Sequence, residues 1–281
     1  MMLRWALLSA LLGFSTLAAA QGAVTEKITG LKTPESVVAG PDGRIYVSEI
    51  GEFGKDGDGQ ISVINARGTK HVFSEGMNDP KGLAFFGNQL YVADKIRILR
   101  VGQDGTWKVF AEADAFPKPP QFLNDVETDP QGNIYVSDTG DMKGKAGAVY
   151  RIGQNGKVSV VVDDGHAEVQ GPNGLLMEPD GSLLEVDFLS GVLYRIRQRS
   201  AEMTKIAEGF GGGDGIVRGS GGMLYISDWK NGKVFSVDRQ GAVKEIRSGF
   251  MAAADIGLSA DGRYLLVPDM KAGELHWLKI D

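Results

Sequence analysis

The chain has 281 residues, 42% of them hydrophobic, with 36 acids against 30 lysines and arginines and no cysteine. The missing cysteine excludes disulfide frameworks, thiolate nucleophiles, thiolate zinc sites and a lipoprotein anchor. The net charge of −6, with the bases scattered rather than gathered into runs, argues against nucleic acid or another polyanion as partner.

Residues 1–20 read as a secretory signal: Arg4 in a short n-region, an apolar run from Trp5 to Leu17, and Ala18-Ala19-Ala20 as a small-residue cleavage site. No other stretch approaches the roughly 20 apolar residues of a membrane-spanning helix. The expectation is therefore an exported protein, periplasmic or secreted, with one domain over residues 21–281, no membrane span and a monomeric state by default.

The remainder of the chain repeats. Tyr46, Tyr91, Tyr135, Leu184, Tyr225 and Leu266 are each followed three positions later by an acid, namely Glu49, Asp94, Asp138, Asp187, Asp228 and Asp269. Successive anchors lie 45, 44, 49, 41 and 41 residues apart, close to the period of a four-stranded propeller blade. The local patterns are strand-like, as in Ile45-Tyr46-Val47-Ser48 and Leu224-Tyr225-Ile226-Ser227. Tight-turn signatures precede them at Pro41-Asp42-Gly43, Pro130-Gln131-Gly132, Pro179-Asp180-Gly181 and Ala260-Asp261-Gly262. The prediction is an all-β, six-bladed β-propeller of four-stranded blades. Its last copy stops after a third strand at 274–280, so residues 24–31 are expected to supply the fourth and remove the open edge.

Eleven positions before each anchor stands a slot that changes from copy to copy: Glu35, Pro80, Asn124, Asn173, Asp214 and Asp255. Blades are related by rotation about a channel, so this slot forms a ring of oxygens with Pro80 as its gap. Oxygens without histidine or cysteine suit a hard divalent cation. Calcium leads because it tolerates irregular geometry, with Mg2+, Mn2+ and Zn2+ as alternatives. Asn124-Asp125, Asn173-Gly174 and Asp214-Gly215 are also ordinary turn vocabulary, and Asp255 reads either as a ring member or as a turn residue. The repeated acids are expected to accept N–H bonds from the turns that follow them, with Glu49 the best exception. Long loops at 50–59, 114–121, 139–147 and 163–172 gather at the same mouth, where binding usually sits. His166 lies in the last of them and is a possible substrate contact, while Asp56-Gly57-Asp58-Gly59 lacks the downstream glutamate of a calcium loop and reads as a solvated turn.

These residues resemble the SMP-30/gluconolactonase/luciferin-regenerating-enzyme family of six-bladed propellers, regucalcin included. The resemblance rests on Pro34-Glu35-Ser36, Leu123-Asn124-Asp125-Val126, Gly171-Pro172-Asn173-Gly174-Leu175 and Gly213-Asp214-Gly215-Ile216. It implies that Glu35, Asn173 and Asp214 are metal ligands, that Asn124 binds metal or substrate, and that Asp214 doubles as general base for hydrolysis of a lactone or related ester. Sugar-lactone members often carry an arginine two residues before the blade-three asparagine. Here that position is Phe122, pointing to a more apolar ligand, with Asp255 as a further candidate contact. Two rival functions share the same residues: a non-catalytic ligand- or protein-binding propeller with structural calcium, and a phosphotriesterase or arylesterase.

Overall fold

A computed structural model describes residues 27–280; the expected signal at 1–20 lies outside the described residues. The short strand β1 (Lys27–Thr29) precedes blade one, which comprises β2 (Pro34–Ala39), β3 (Ile45–Glu49), β4 (Gly59–Ile64) and β5 (Lys70–Met77). Blade two is β6 (Pro80–Phe86), β7 (Gln89–Asp94), β8 (Arg97–Val101) and β9 (Trp107–Ala111), and blade three is β10 (Leu123–Thr128), β11 (Ile134–Asp138), β12 (Ala148–Ile152) and β13 (Val158–Asp163). Blade four is β14 (Pro172–Met177), β15 (Leu183–Asp187), β16 (Val192–Arg197) and β17 (Glu202–Glu208); blade five is β18 (Gly213–Arg218), β19 (Leu224–Asp228), β20 (Lys233–Val237) and β21 (Val243–Ser248). Blade six has only β22 (Gly257–Leu258), β23 (Tyr264–Asp269) and β24 (Glu274–Lys279) from its own segment.

The missing strand is β1, which pairs antiparallel with β24 from Lys27 opposite His276 to Thr29 opposite Glu274. The result is six four-stranded antiparallel sheets, the last in the order β1-β24-β23-β22. Leu31, just past β1, donates its N–H to Gly273 O at 3.0 Å and packs with Val37, Val47, Leu266 and Leu275, joining blades six and one.

The innermost strands contact one another in turn around the circle, β22 against β2 and β18 included. This close approach explains the glycines that follow several ring positions. A Cβ on Gly82 would strike the backbone of Asp125 and Val126, one on Gly174 the Asp214 carbonyl, and one on Gly215 the Asp255 carboxyl and Ile256 N–H. Asn173-Gly174 and Asp214-Gly215 are therefore strand residues beneath a neighbouring blade rather than turns. The Asp-Gly turns sit on the opposite face as expected, closed for example by Gly43 N–H to Gly40 O at 3.0 Å and Gly181 N–H to Glu178 O at 2.9 Å.

Candidate functional site in the central channel

In five blades the innermost strand bulges where it passes the channel, with register breaks at Pro34/Val37, Pro80/Leu83, Leu123/Val126, Pro172/Leu175 and Gly213/Ile216. A bulge re-aims side chains at the cost of ladder hydrogen bonds. Serines on the second strand take up freed donors: Ser48 Oγ accepts from Ser36 N–H at 2.8 Å, Ser137 Oγ from Asp125 N–H at 2.9 Å, and Ser227 Oγ from Gly215 N–H at 2.8 Å. The recurring Ser-acid pair in Tyr-Val-Ser-Glu, Tyr-Val-Ser-Asp and Tyr-Ile-Ser-Asp thus supports the bulge that carries each ring residue.

Register defines that ring. Pro34 opposes Glu49, and Glu35 follows it; Leu123, Pro172 and Gly213 oppose Asp138, Asp187 and Asp228, and Asn124, Asn173 and Asp214 follow them. In blade two Pro80 opposes Asp94, so the ring residue is Lys81 and the expected gap at Pro80 is wrong by one position. In blade six Ala253 bridges to Asp269, so Ala254 takes the ring position and Asp255 lies one step beyond, level with Ser36 and Asp125. The offset of eleven fails in these blades because one hairpin is a residue shorter and the other a residue longer: Gly40 closes on Arg44 in blade one, but Ser259 on Tyr264 in blade six.

All four predicted ligands are buried: Glu35 is 3% exposed, Asn124 6%, Asn173 2% and Asp214 3%. Among the described residues, Glu35 Oε2, Asn173 Oδ1 and Asp214 Oδ1 have no hydrogen-bond partner. Asn124 commits its amide Nδ2 to Thr139 Oγ1 at 3.1 Å, and Thr139 in turn donates to Pro172 O at 2.9 Å. The carbonyl oxygen of Asn124 is thereby the end offered to a ligand.

Burial, then the nearby charges of Asp214 and Asp255, push the Glu35 carboxyl well above the usual range, while Lys81 pulls it back. Burial and next Asp255 do the same to Asp214, opposed by the Asn173 side chain. Asp255 itself is pushed up to about 7 by burial, against the stabilising Ser36 hydroxyl, which donates to its Oδ2 at 2.5 Å. Mutually repelling carboxyls beside an orphaned amide oxygen form an acceptor-only set, and a divalent cation would satisfy every member. No three of His, Cys, Asp and Glu gather as metal ligands among the described residues, so such an ion would need the amide oxygens of Asn124 and Asn173.

A sequence profile described as the SMP-30/gluconolactonase/LRE-like region matches residues 85–254, more than half of the chain. The chain belongs to this family. No curated protein matches it. Among solved structures, a calcium-binding protein, regucalcin, from Agrobacterium tumefaciens aligns at TM-score 0.73 and 20% identity over 90% of this chain and 91% of that one. A gluconolactonase from Xanthomonas campestris gives TM-score 0.73 at 17% identity over 89% of each chain. Virginiamycin B lyase from Staphylococcus aureus gives 0.65 at 16%, covering 91% of this chain and 98% of that one. At these identities the likeness is one of fold.

In this family member the repeated acids do more than cap the turns that follow. Asp187 accepts from Gln170 and Gly171 N–H before the ring as well as from Leu189 and Ser190 after it. Asp138 and Asp269 join the same segments. Glu49 is no exception: fully buried, it accepts from Lys32 N–H and from the Gln60 and Ser62 side chains, which is a structural role.

The residue after each acid donates its N–H to the residue two before the ring, as in Ile50 to Thr33, Phe188 to Gly171, Trp229 to Gly212 and Met270 to Ala252. These four form an apolar collar beside the ring. Phe188 and Trp229 lie with ring centroids 6.1 Å apart, Trp229 Nε1 reaches Met270 Sδ at 3.2 Å, and Ile50 and Met270 pack with Ala252 and Ala254. Sequence reasoning missed this collar, although the place after each acid was visible in the repeat. It also missed Glu185, 1% exposed with neither carboxyl oxygen hydrogen-bonded, at a register position held elsewhere by Val47, Val92, Val136 and Ile226. Burial, then Asp187, raises its carboxyl well above the usual range.

Phe122 is half-buried at the mouth, whereas His166 makes no side-chain hydrogen bond or ion pair among the described residues and nothing ties it to the ring. The mouth loops brace one another: Lys95 Nζ meets Asp56 at 2.7 Å, and Ala146 N–H meets Asp164 at 2.9 Å. A cleft of 1610 Å3 lies among the outer turns of blades three and four on the opposite face and includes no ring residue.

Proposed function

We propose that this chain is an exported, divalent-metal-dependent hydrolase of lactones or related esters, monomeric, with calcium the best-suited ion. The observation that carries the reading is the set of buried, partnerless oxygens on Glu35, Asn173 and Asp214 at one register position of three blades. Family membership and a fold shared with a gluconolactonase and a calcium-binding regucalcin support it. Glu35, Asn124, Asn173 and Asp214 would hold the cation, which when bound polarises the substrate carbonyl and favours ionised carboxylates. Asp214 then takes a proton from the attacking water. Asn124, locked by Thr139, would present its carbonyl oxygen to the cation. The collar of Phe188, Trp229, Met270 and Ile50 excludes water and favours an apolar ring substituent.

The test is elemental analysis of the purified full-length protein together with a lactone, aryl-ester and phosphotriester panel before and after chelation. Stoichiometric metal and chelator-sensitive lactone turnover are expected. Asp214→Asn should keep its metal and lose about 100-fold or more in turnover, the typical worth of a general base; unchanged turnover in that variant overturns its role. Metal without turnover on any substrate would return the chain to a calcium-stabilised binding propeller, in keeping with the neighbour described as calcium-binding.

A further inference from the structure

Lys81 is the one basic side chain in the ring, and nothing in the preceding mechanism uses it. It follows Pro80, which opposes Asp94 as Pro34 opposes Glu49, so it shares the register position of Glu35 and Asp214. Its side chain is almost fully enclosed, with the residue 2% exposed. A lysine ammonium carries three donors. Here one reaches the Asp79 carbonyl at 3.3 Å, and the Phe122 ring centroid lies 4.4 Å from Nζ. That is its only hydrogen bond among the described residues, and it forms no ion pair there. Burial lowers its proton affinity and Glu35 is near enough to oppose that, but Glu35 does not close onto the ammonium.

A buried ammonium with a spare donor is costly unless an acceptor arrives. An anionic acceptor answers both the spare donor and the charge, because the ring's own carboxylates are the groups that a cation would occupy. An aromatic face beside the ammonium places apolar ligand surface next to the charge.

We propose that Lys81 and Phe122 form a carboxylate subsite, in which the ammonium binds the carboxylate of an apolar hydroxy acid, the class of product released when a lactone ring opens. This rests on the proposed hydrolytic function for its choice of ligand. It assigns to blade two a specificity-determining role that the other ring residues, all carboxylates, amides or alanine, cannot fill.

The test is calorimetric titration of the full-length protein with 4-hydroxydecanoate and, separately, with its neutral primary amide, each with saturating calcium and with chelator. Lys81→Met keeps the length and apolar character of the side chain and removes the charge. The expected result is a ten-fold or greater loss of carboxylate affinity in Lys81→Met, with amide affinity changed by less than two-fold and thermal stability retained. Equal carboxylate affinity in the two proteins overturns the subsite, as does a parallel loss for acid and amide, which marks a packing role. Failure of the wild type to bind the acid under either condition also overturns it. If calcium does not bind but the charge-selective loss is seen with chelator, the metal-dependent reading falls and the Lys81 subsite stands.

Discussion

Glu35, Asp214 and Asp255 crowd negative charge into the channel that Lys81 offsets only in part, and a cation or protonation relieves the remainder. The sign of the pH dependence follows. A folded carboxyl with a raised pKa keeps a proton that the unfolded chain has already released, so stability falls as pH rises between the two values. For Asp255 that window runs from 3.8 to about 7, and the contribution levels off above it. The loss across the window is on the order of 4 kcal/mol for a shift of this size. Thermal unfolding in chelator should therefore give a lower Tm at pH 8 than at pH 5. Saturating calcium should raise Tm more at pH 8, because protons no longer compete for the same oxygens. A Tm that climbs from pH 5 to pH 8 in chelator would contradict this account. The identities of Glu35, Asn124, Asn173 and Asp214 as buried oxygens were legible in the sequence because they recur in register. Lys81 was not, since the residue that faces the axis depends on which residue its strand partner opposes.

At the scale of one blade, the repeated acid is the staple that binds the segment entering the ring to the turn leaving it. Asp187 accepts four backbone N–H groups, from Gln170, Gly171, Leu189 and Ser190, while Asp180, on the outer turn, holds one residue, Ser182, through its N–H and hydroxyl. Each buried donor left unpaired costs about 1–3 kcal/mol. Asp187→Ala should therefore lose roughly 3 kcal/mol or more, which lowers Tm by about 6–12 °C in a domain of this size. Asp180→Ala, next to solvent, should lose less than about 1 kcal/mol. Chemical denaturation of both variants checks the contrast, and equal losses would remove the acid from its structural role. Strand patterns and Asp-Gly turns could be read directly because both are local. The offset from anchor to ring could not, because a hairpin one residue longer or shorter moves every residue upstream of it, and Asp255 left the ring for that reason.

For the whole molecule, stability depends on closing the circle. β1 is only three residues long, so its backbone pairing with β24 covers an edge while Leu31 provides the apolar contact between blades six and one. Leu31→Ala should cost about 2–4 kcal/mol through lost burial and the cavity left behind, against less than about 0.5 kcal/mol for truncating the exposed Val160; urea midpoints of the two variants provide the measurement, and a neutral Leu31→Ala would mean that the closure carries no load. Periodicity, turn chemistry and the unfinished last repeat determined the fold and its closure from the sequence alone, since a blade is built from neighbours in the chain. Only the tertiary structure decided which side chains meet at the axis. The substitution of Lys81 for Pro80, the displacement of Asp255, the apolar collar and the burial of Glu185 all depend on strand register and on packing between blades distant in the chain, which no local pattern encodes.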